Sequence, residues 1–124
     1  MKEGSIQDLA NHIPVMSNEI LSYLNIVSDG VYIDGTIGPG GHATPILNKL
    51  GKHGKLIGID RDEEALKICR KNFSNSSALL SLHHSSYNKL DTILSKEGVS
   101  RVNGVILDLA VSYTHLTLPT ILLV

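Results

Sequence analysis

Short apolar runs alternate along this chain with stretches whose apolar residues recur at helical spacing. Val31-Tyr32-Ile33-Asp34, Lys55 to Asp60, Ala78 to His83 and Gly104 to Leu109 have the length and composition of strands. Between them the period changes. A short helix is expected to run to Leu50 and to close at Gly51, with Pro45 tolerated in its first turn. Ala65, Leu66, Ile68, Cys69 and Phe73 follow helical spacing behind the acidic opening Asp62-Glu63-Glu64, which suits the positive end of a helix dipole. Tyr87, Leu90, Ile93 and Leu94 mark a further helix. Ahead of the first strand, Pro14 biases Ile13 to an extended conformation. Ser17 can cap a helix over 18–25 with Ile20, Leu21 and Leu24 on one face. Strands alternating with helices pair in parallel through right-handed crossovers, and continuous apolar strands suit a sheet covered on both faces. The expected fold class is α/β, a doubly wound and mostly parallel sheet. No convincing strand follows Asp108, so the sheet is expected to stop after the fourth.

Composition sets bounds on this picture. The 124 residues are one domain or part of one, and 42% hydrophobic with 19% charged is ordinary for a globular chain. Disordered, collagen-like and disulfide-scaffold classes are excluded. The lone Cys69 cannot form an internal disulfide, which favours a reducing compartment and a cytoplasmic location. No apolar run approaches the roughly 20 residues of a membrane span, and Met1-Lys2-Glu3-Gly4-Ser5 leads into no apolar segment of a secretory signal. No membrane partner is therefore expected. A net charge of −1, no tryptophan and 4% aromatic residues supply neither a basic footprint nor a base-stacking platform for nucleic acid.

The chemistry is expected where a doubly wound sheet binds ligands, beyond the carboxyl ends of its strands. There the chain places Asp34 through His42, Asp60, Ser85 through Tyr87, and Asp108. The run Gly35-Thr36-Ile37-Gly38-Pro39-Gly40-Gly41 lets backbone approach a ligand. It departs from the Gly-x-Gly-x-x-Gly spacing of dinucleotide sites, and Asp34 puts negative charge where a pyrophosphate would lie. Both points favour a cationic nucleoside, although a tight turn with no ligand is the plainer alternative. Asp60 lies 20 residues beyond Gly40, the spacing of a carboxylate that grips ribose hydroxyls, or it caps the next helix. Tyr87 can lie against an adenine or belong to the core of its helix. His42 can donate to a ligand carboxylate or merely occupy a first helical turn. His83-His84 lacks metal-ligand spacing to other Cys, Asp or His residues, so no metal is expected, and Cys69 reads as inert core.

Taken together, His12-Ile13-Pro14-Val15, Tyr32 through His42, Gly58-Ile59-Asp60-Arg61-Asp62 and Gly104 through Leu109 closely resemble one bacterial family. It is that of the S-adenosylmethionine-dependent 16S rRNA cytosine-N4 methyltransferases, which have a Rossmann-like class I fold. The Asp-Gly-Thr-x-Gly-x-Gly-Gly-His run is its most specific part, and the resemblance covers roughly residues 11–112. It implies S-adenosylmethionine as cofactor and small-subunit ribosomal RNA as partner. It implies that Gly40, Gly41 and His42 contact the methionine portion, that Asp60 holds the ribose hydroxyls, and that Tyr87 lies against the adenine. Asp108 would stand beside the sulfonium or the target amine, and is the candidate catalytic residue. The reaction implied is attack of the cytosine amine on the cofactor's methyl group. That amine is a poor nucleophile, so alignment and a proton acceptor carry the catalysis.

Two departures qualify the resemblance. Where the family continues Asp-Leu-Gly-Val-Ser-Ser, this chain has Asp108-Leu109-Ala110-Val111-Ser112-Tyr113. The likeness then stops, so 1–112 are taken as the N-terminal half of the methyltransferase domain and 113–124 as a non-family tail, read as an artefact of the gene sequence. An open apolar edge on the fourth strand, with poor solubility or self-association, is expected. The alternative functions are a cofactor-binding fragment without catalysis, and a nucleotide-dependent oxidoreductase on a related sheet.

Overall fold

The computed structural model describes residues 18–107 and 121–123. The Pro14 segment, the Ser17 cap and Asp108 lie outside them. Helix α1, Asn18–Leu24, ends at Asn25, which takes the left-handed conformation (φ 49°) that asparagine tolerates better than most residues. The turn that follows is fastened by Tyr32, whose hydroxyl accepts from the Val27 N–H at 2.8 Å and donates to the Asn25 carbonyl at 3.3 Å. Strands β1 (Val31–Asp34) and β2 (Lys55–Asp60) fall where the apolar runs place them. Helix α2 is Ala43–Lys49, α3 is Glu63–Asn72, β3 is Leu79–His84, α4 is Leu90–Glu97 and β4 is Gly104–Leu107.

Several details differ from expectation. Helix α2 ends at Lys49, and Leu50 is already extended, so Gly51 is no left-handed cap. Gly51 is required for closeness instead: a methyl group on it would lie 2.5 Å from Ser28 Oγ, while its N–H donates to the Ser28 carbonyl at 2.8 Å. Strand β3 is shifted one residue later than expected. Ile68 is 51% exposed, because α3 buries the stripe through Leu66 and Cys69 and position 68 is turned away from it. Tyr87 opens a single 3-10 turn, Tyr87–Lys89, that leads into α4. The largest correction concerns the end of the sheet. Ile121–Leu123 forms β5 and pairs in parallel with Val105–Leu107, so the sheet does not stop at the fourth strand. An unpaired row of amides and carbonyls on an apolar strand is a template for another strand, and a short aliphatic run fills it.

The sheet order is β3-β2-β1-β4-β5, all parallel. The chain winds outward from β1 to β3, then returns to the other side of β1 through α4. The switch point therefore lies between β1 and β4, where Asp34 is in register with Ile106. Alternation along the strands separates two cores. Tyr32, Leu56 and Ile106 pack with α1, α2 and α3 through Leu24, Ile46, Leu66 and Cys69. Ile33, Ile57, Ile59, Val105 and Leu107 face α4 through Ile93, with Leu90 and Leu94 beside it. A sheet covered on both faces leaves its carboxyl rim as the place where polar groups can converge on a ligand.

Candidate functional site

The rim is assembled by continuing the sheet's hydrogen bonding past the strands. The Gly35 N–H donates to the Ile106 carbonyl at 2.9 Å, bridging the switch point. The Ile37 N–H donates to the Ile59 carbonyl and the Ser85 N–H to the Asp60 carbonyl, each at 2.9 Å. The exits of β1, β2 and β3 are thus tied side by side. Gly35 sits where any side chain would collide: a methyl group there falls on Leu107 Cδ2 and 3.2 Å from Tyr87 Cβ. Gly58 similarly makes room for Ile37, whose Cδ1 would lie 2.5 Å from a methyl at that position.

Asp60 is the most firmly set of the expected residues. Its Oδ2 accepts from the Gly38 N–H at 2.8 Å and its Oδ1 from the Asp62 N–H at 2.8 Å. One carboxylate therefore joins the glycine loop to the start of α3. The helix cap itself is Asp62, which accepts from the Glu64 N–H at 3.0 Å. Asp60 is thus not the capping residue that the alternative reading made it. A carboxylate offers about four acceptor positions, so two backbone amides leave capacity for further donors. Beside it Gly38 adopts φ 54°, and among the described residues the only heavy atom within 4 Å of a methyl built there, its chain neighbours aside, is Asp60 Oδ2, at 3.9 Å. The glycine thus sets bare backbone next to a held carboxylate.

Gly40 adopts φ 108°, a conformation that side chains rarely take. Gly41 follows half-buried, and His42 is buried at the start of α2 without bonding to the helix's amides through its side chain. Asp34 is fully buried, with the Thr36 N–H donating to its Oδ1 at 3.1 Å. Tyr87 stands at the β3 exit beside Gly35, yet it packs with Leu90, Leu94 and the α4-side core, so a core role is at least part of its work. Gly40, Gly41, His42, Asp60 and Tyr87 thus belong to one rim, whereas Asp108 lies outside the described residues. Cys69 is buried beneath, its thiol pushed up to about 11 by burial and then by the negative charge of Asp34, so it stays protonated. Two residues escaped sequence reasoning. Gly38 holds Asp60, and only its place in the glycine run hinted at that. Phe73 lies against Gly40, although spacing marked it only as helix core.

A second polar cluster lies on the α4 side of the sheet. Glu97 takes Lys55 Nζ on Oε1 at 2.5 Å, while His83 Nε2 (2.5 Å) and the Ser81 hydroxyl both meet its Oε2. Burial alone would raise the Glu97 carboxyl. The hydrogen bonds from Lys55, Ser81 and His83 outweigh it and bring the group down to about 2. The Ser81 hydroxyl also lies 3.4 Å from His83 Nε2, beyond the roughly 2.6–3.2 Å of a nucleophile–base pair, and both groups meet the same Glu97 oxygen. Among the described residues no three His, Cys, Asp or Glu side chains gather as a metal site, and no helix is long and apolar enough to cross a membrane.

Residues 9–120 match the profile of a family described as the MraW methylase family, so the match runs past residue 112. A relative from Ruthia magnifica subsp. Calyptogena magnifica, the ribosomal RNA small subunit methyltransferase H, is 45% identical over 107 residues, covering 86% of this chain and 34% of that protein. The same-named protein of Clostridium botulinum (strain Okra / Type B1) is 44% identical over 101 residues, covering 82% of this chain and 32% of its own length. The chain thus spans about a third of the length of the curated relatives it matches. A crystal structure provisionally described as an rRNA-methylase, from Clostridium thermocellum, superposes with TM-score 0.62 at 16% identity, covering 77% of this chain and 53% of that one. A SAM-dependent O-methyltransferase from Thermotoga maritima does so with TM-score 0.60 at 18% identity, covering 84% and 40%. These two likenesses establish the Rossmann-like fold.

Proposed function

Because this chain belongs to the MraW methylase family, we propose that it carries the cofactor-binding half of an S-adenosylmethionine-dependent methyltransferase. Its acceptor is the exocyclic N4 amine of a cytidine in small-subunit ribosomal RNA. The observation that carries the reading is the Asp60 latch: a carboxylate fixed by the Gly38 and Asp62 amides, beside the bare backbone of a glycine loop. The names of the relatives supply the RNA acceptor. Residues 1–112 are proposed as the methyltransferase part, with 113–124 an added segment that lends Ile121–Leu123 to the sheet as β5.

The residues present fit the cofactor. Asp60 has acceptor capacity left for vicinal ribose hydroxyls, each such bond worth roughly 1.5–3 kcal/mol. Among the described residues the backbone at Gly38 is uncrowded, which suits a ring beside it. Gly40, Gly41 and His42 are assigned to the methionine portion, Tyr87 to the adenine edge, and Asp108 to the sulfonium or to the amine proton. When bound, S-adenosylmethionine supplies a methyl group activated by its sulfonium. The protein's own task is orientation, since holding two reactants in line can supply about 7–11 kcal/mol of a barrier. Nothing in the net charge of −1 steers RNA here.

A second reading, that this stretch binds the cofactor without turnover, is favoured by its spanning about a third of its relatives. The test uses isotopically labelled S-adenosylmethionine with small-subunit RNA, followed by mass spectrometry of the nucleosides. N4-methylcytidine supports the full reading. Cofactor binding with no label in RNA supports the second. Neither binding nor transfer by the folded chain contradicts both.

A further inference from the structure

Gly40 is held on three sides. Its N–H donates to the Ile37 carbonyl at 3.0 Å, and its carbonyl accepts from the Ala43 N–H at 3.1 Å and the Thr44 hydroxyl at 3.4 Å. The third side is closed by Phe73: a methyl group built on Gly40 falls on Cε2 of that ring and 3.0 Å from Cζ. The base of the ring is itself anchored. The Phe73 N–H donates to the Cys69 carbonyl at 3.1 Å, and the Phe73 carbonyl accepts from the Ser76 N–H at 3.1 Å. The residue packs against the core of this face and also lines a cleft of about 330 Å³ together with Leu47, Leu50, Asn48 and Asn72.

The contact gains meaning from the helix that carries it. Helix α3 begins beside Asp62, whose N–H holds Asp60, and ends at Phe73, whose ring meets Gly40. We propose that α3 is a brace and Phe73 its positioning residue, fixing the Gly40–Gly41 stretch relative to the Asp60 carboxylate. The inference rests on the cofactor reading for its purpose, and on the geometry alone for its existence. With the ring removed, Gly40 keeps its hydrogen bonds but loses the wall that stops the loop from swinging towards α3. The open cleft means that a smaller side chain leaves no sealed void, so a truncated variant is expected to fold.

The experiment compares the full chain with Phe73→Leu and Phe73→Met, and uses Ile68→Ala on the exposed face of α3 as the control. Amide hydrogen exchange is read at Gly38, Gly40 and Ala43 in the loop and at Ile57 and Ile59 in β2. S-adenosylmethionine affinity is measured in parallel by calorimetry. The expected result is exchange at least tenfold faster in the loop with the β2 amides unchanged, and affinity weakened about fivefold, in both Phe73 variants and not in the control. Unchanged loop exchange overturns the proposal. So does a rise spread equally over loop and sheet, which marks Phe73 as ordinary core. Loop loosening in a chain that never binds the cofactor upholds the brace and contradicts the cofactor reading.

Discussion

Two carboxylates, held in opposite ways, divide the molecule into a rim and a frame. Asp60 at the carboxyl rim is fixed by backbone amides of Gly38 and Asp62. Glu97, on the α4 side, is fixed by side chains of Lys55, Ser81 and His83. Backbone donors place a carboxylate while leaving acceptor capacity for something else. Side-chain donors from two strands use most of that capacity, and in doing so fasten a helix to the sheet. The first arrangement suits a ligand and the second suits stability. The contrast also shows why a polar cluster is not a site by virtue of being polar: the Glu97 cluster has more charge, yet its groups are spent on one another.

The comparison breaks most clearly through Asp60→Ala. S-adenosylmethionine affinity is expected to fall tenfold or more, about 1.4 kcal/mol, together with a lower urea midpoint as the Gly38 and Asp62 amides lose their acceptor. A loss of stability with affinity intact reverses the assignment. Glu97→Ala is expected to act on stability alone. Lys55 and His83 lose their acceptor, at a cost of about 2 kcal/mol, between the values for exposed and buried pairs, read by thermal or urea unfolding while cofactor affinity holds. Acid sharpens the same point. The Glu97 carboxyl lies near 2 in the folded chain, below the ordinary 4.5. Its contribution is therefore complete above about 4.5 and fades as pH falls towards 2. Urea unfolding at pH 3 and pH 6 is expected to show a smaller difference in Glu97→Gln than in the parent. The smallest effect belongs to Gly98, the left-handed cap of α4 at φ 70°, where an added methyl meets nothing within 4 Å among the described residues. Gly98→Ala is expected to cost about 1 kcal/mol of stability and nothing in ligand binding, checked by the same pair of measurements.

Much of the frame was legible because it depends on period and apolar content. Val31–Asp34 and Lys55–Asp60 follow from continuous apolar runs ended by aspartate, and Asp62-Glu63-Glu64 announces a helix start. What escaped depends on three-dimensional proximity. Gly51 looked like a helix stop, but its constraint comes from Ser28 in a distant turn. The open edge of β4 could be expected from the sequence, but that Ile121–Leu123 itself pairs with it could not, since no local pattern assigns a short aliphatic run to a given edge. In the site, the glycine run and the spacing to Asp60 could be read directly, and so could the family likeness. That Gly38 donates to Asp60, or that Phe73 closes over Gly40, could not, since both contacts join elements separated by a crossover. Tyr87 stayed ambiguous for the same reason: helical spacing with Leu90 and Leu94 does not say which end of the side chain meets the rim.

The most direct test of the account is calorimetric titration of the chain with S-adenosylmethionine, beside Asp60→Ala and Glu97→Ala. Saturable binding that is weakened tenfold or more by the first substitution and left intact by the second, with all three chains folded by circular dichroism, is the predicted result. Binding that survives Asp60→Ala, or no heat from the folded parent chain, contradicts it.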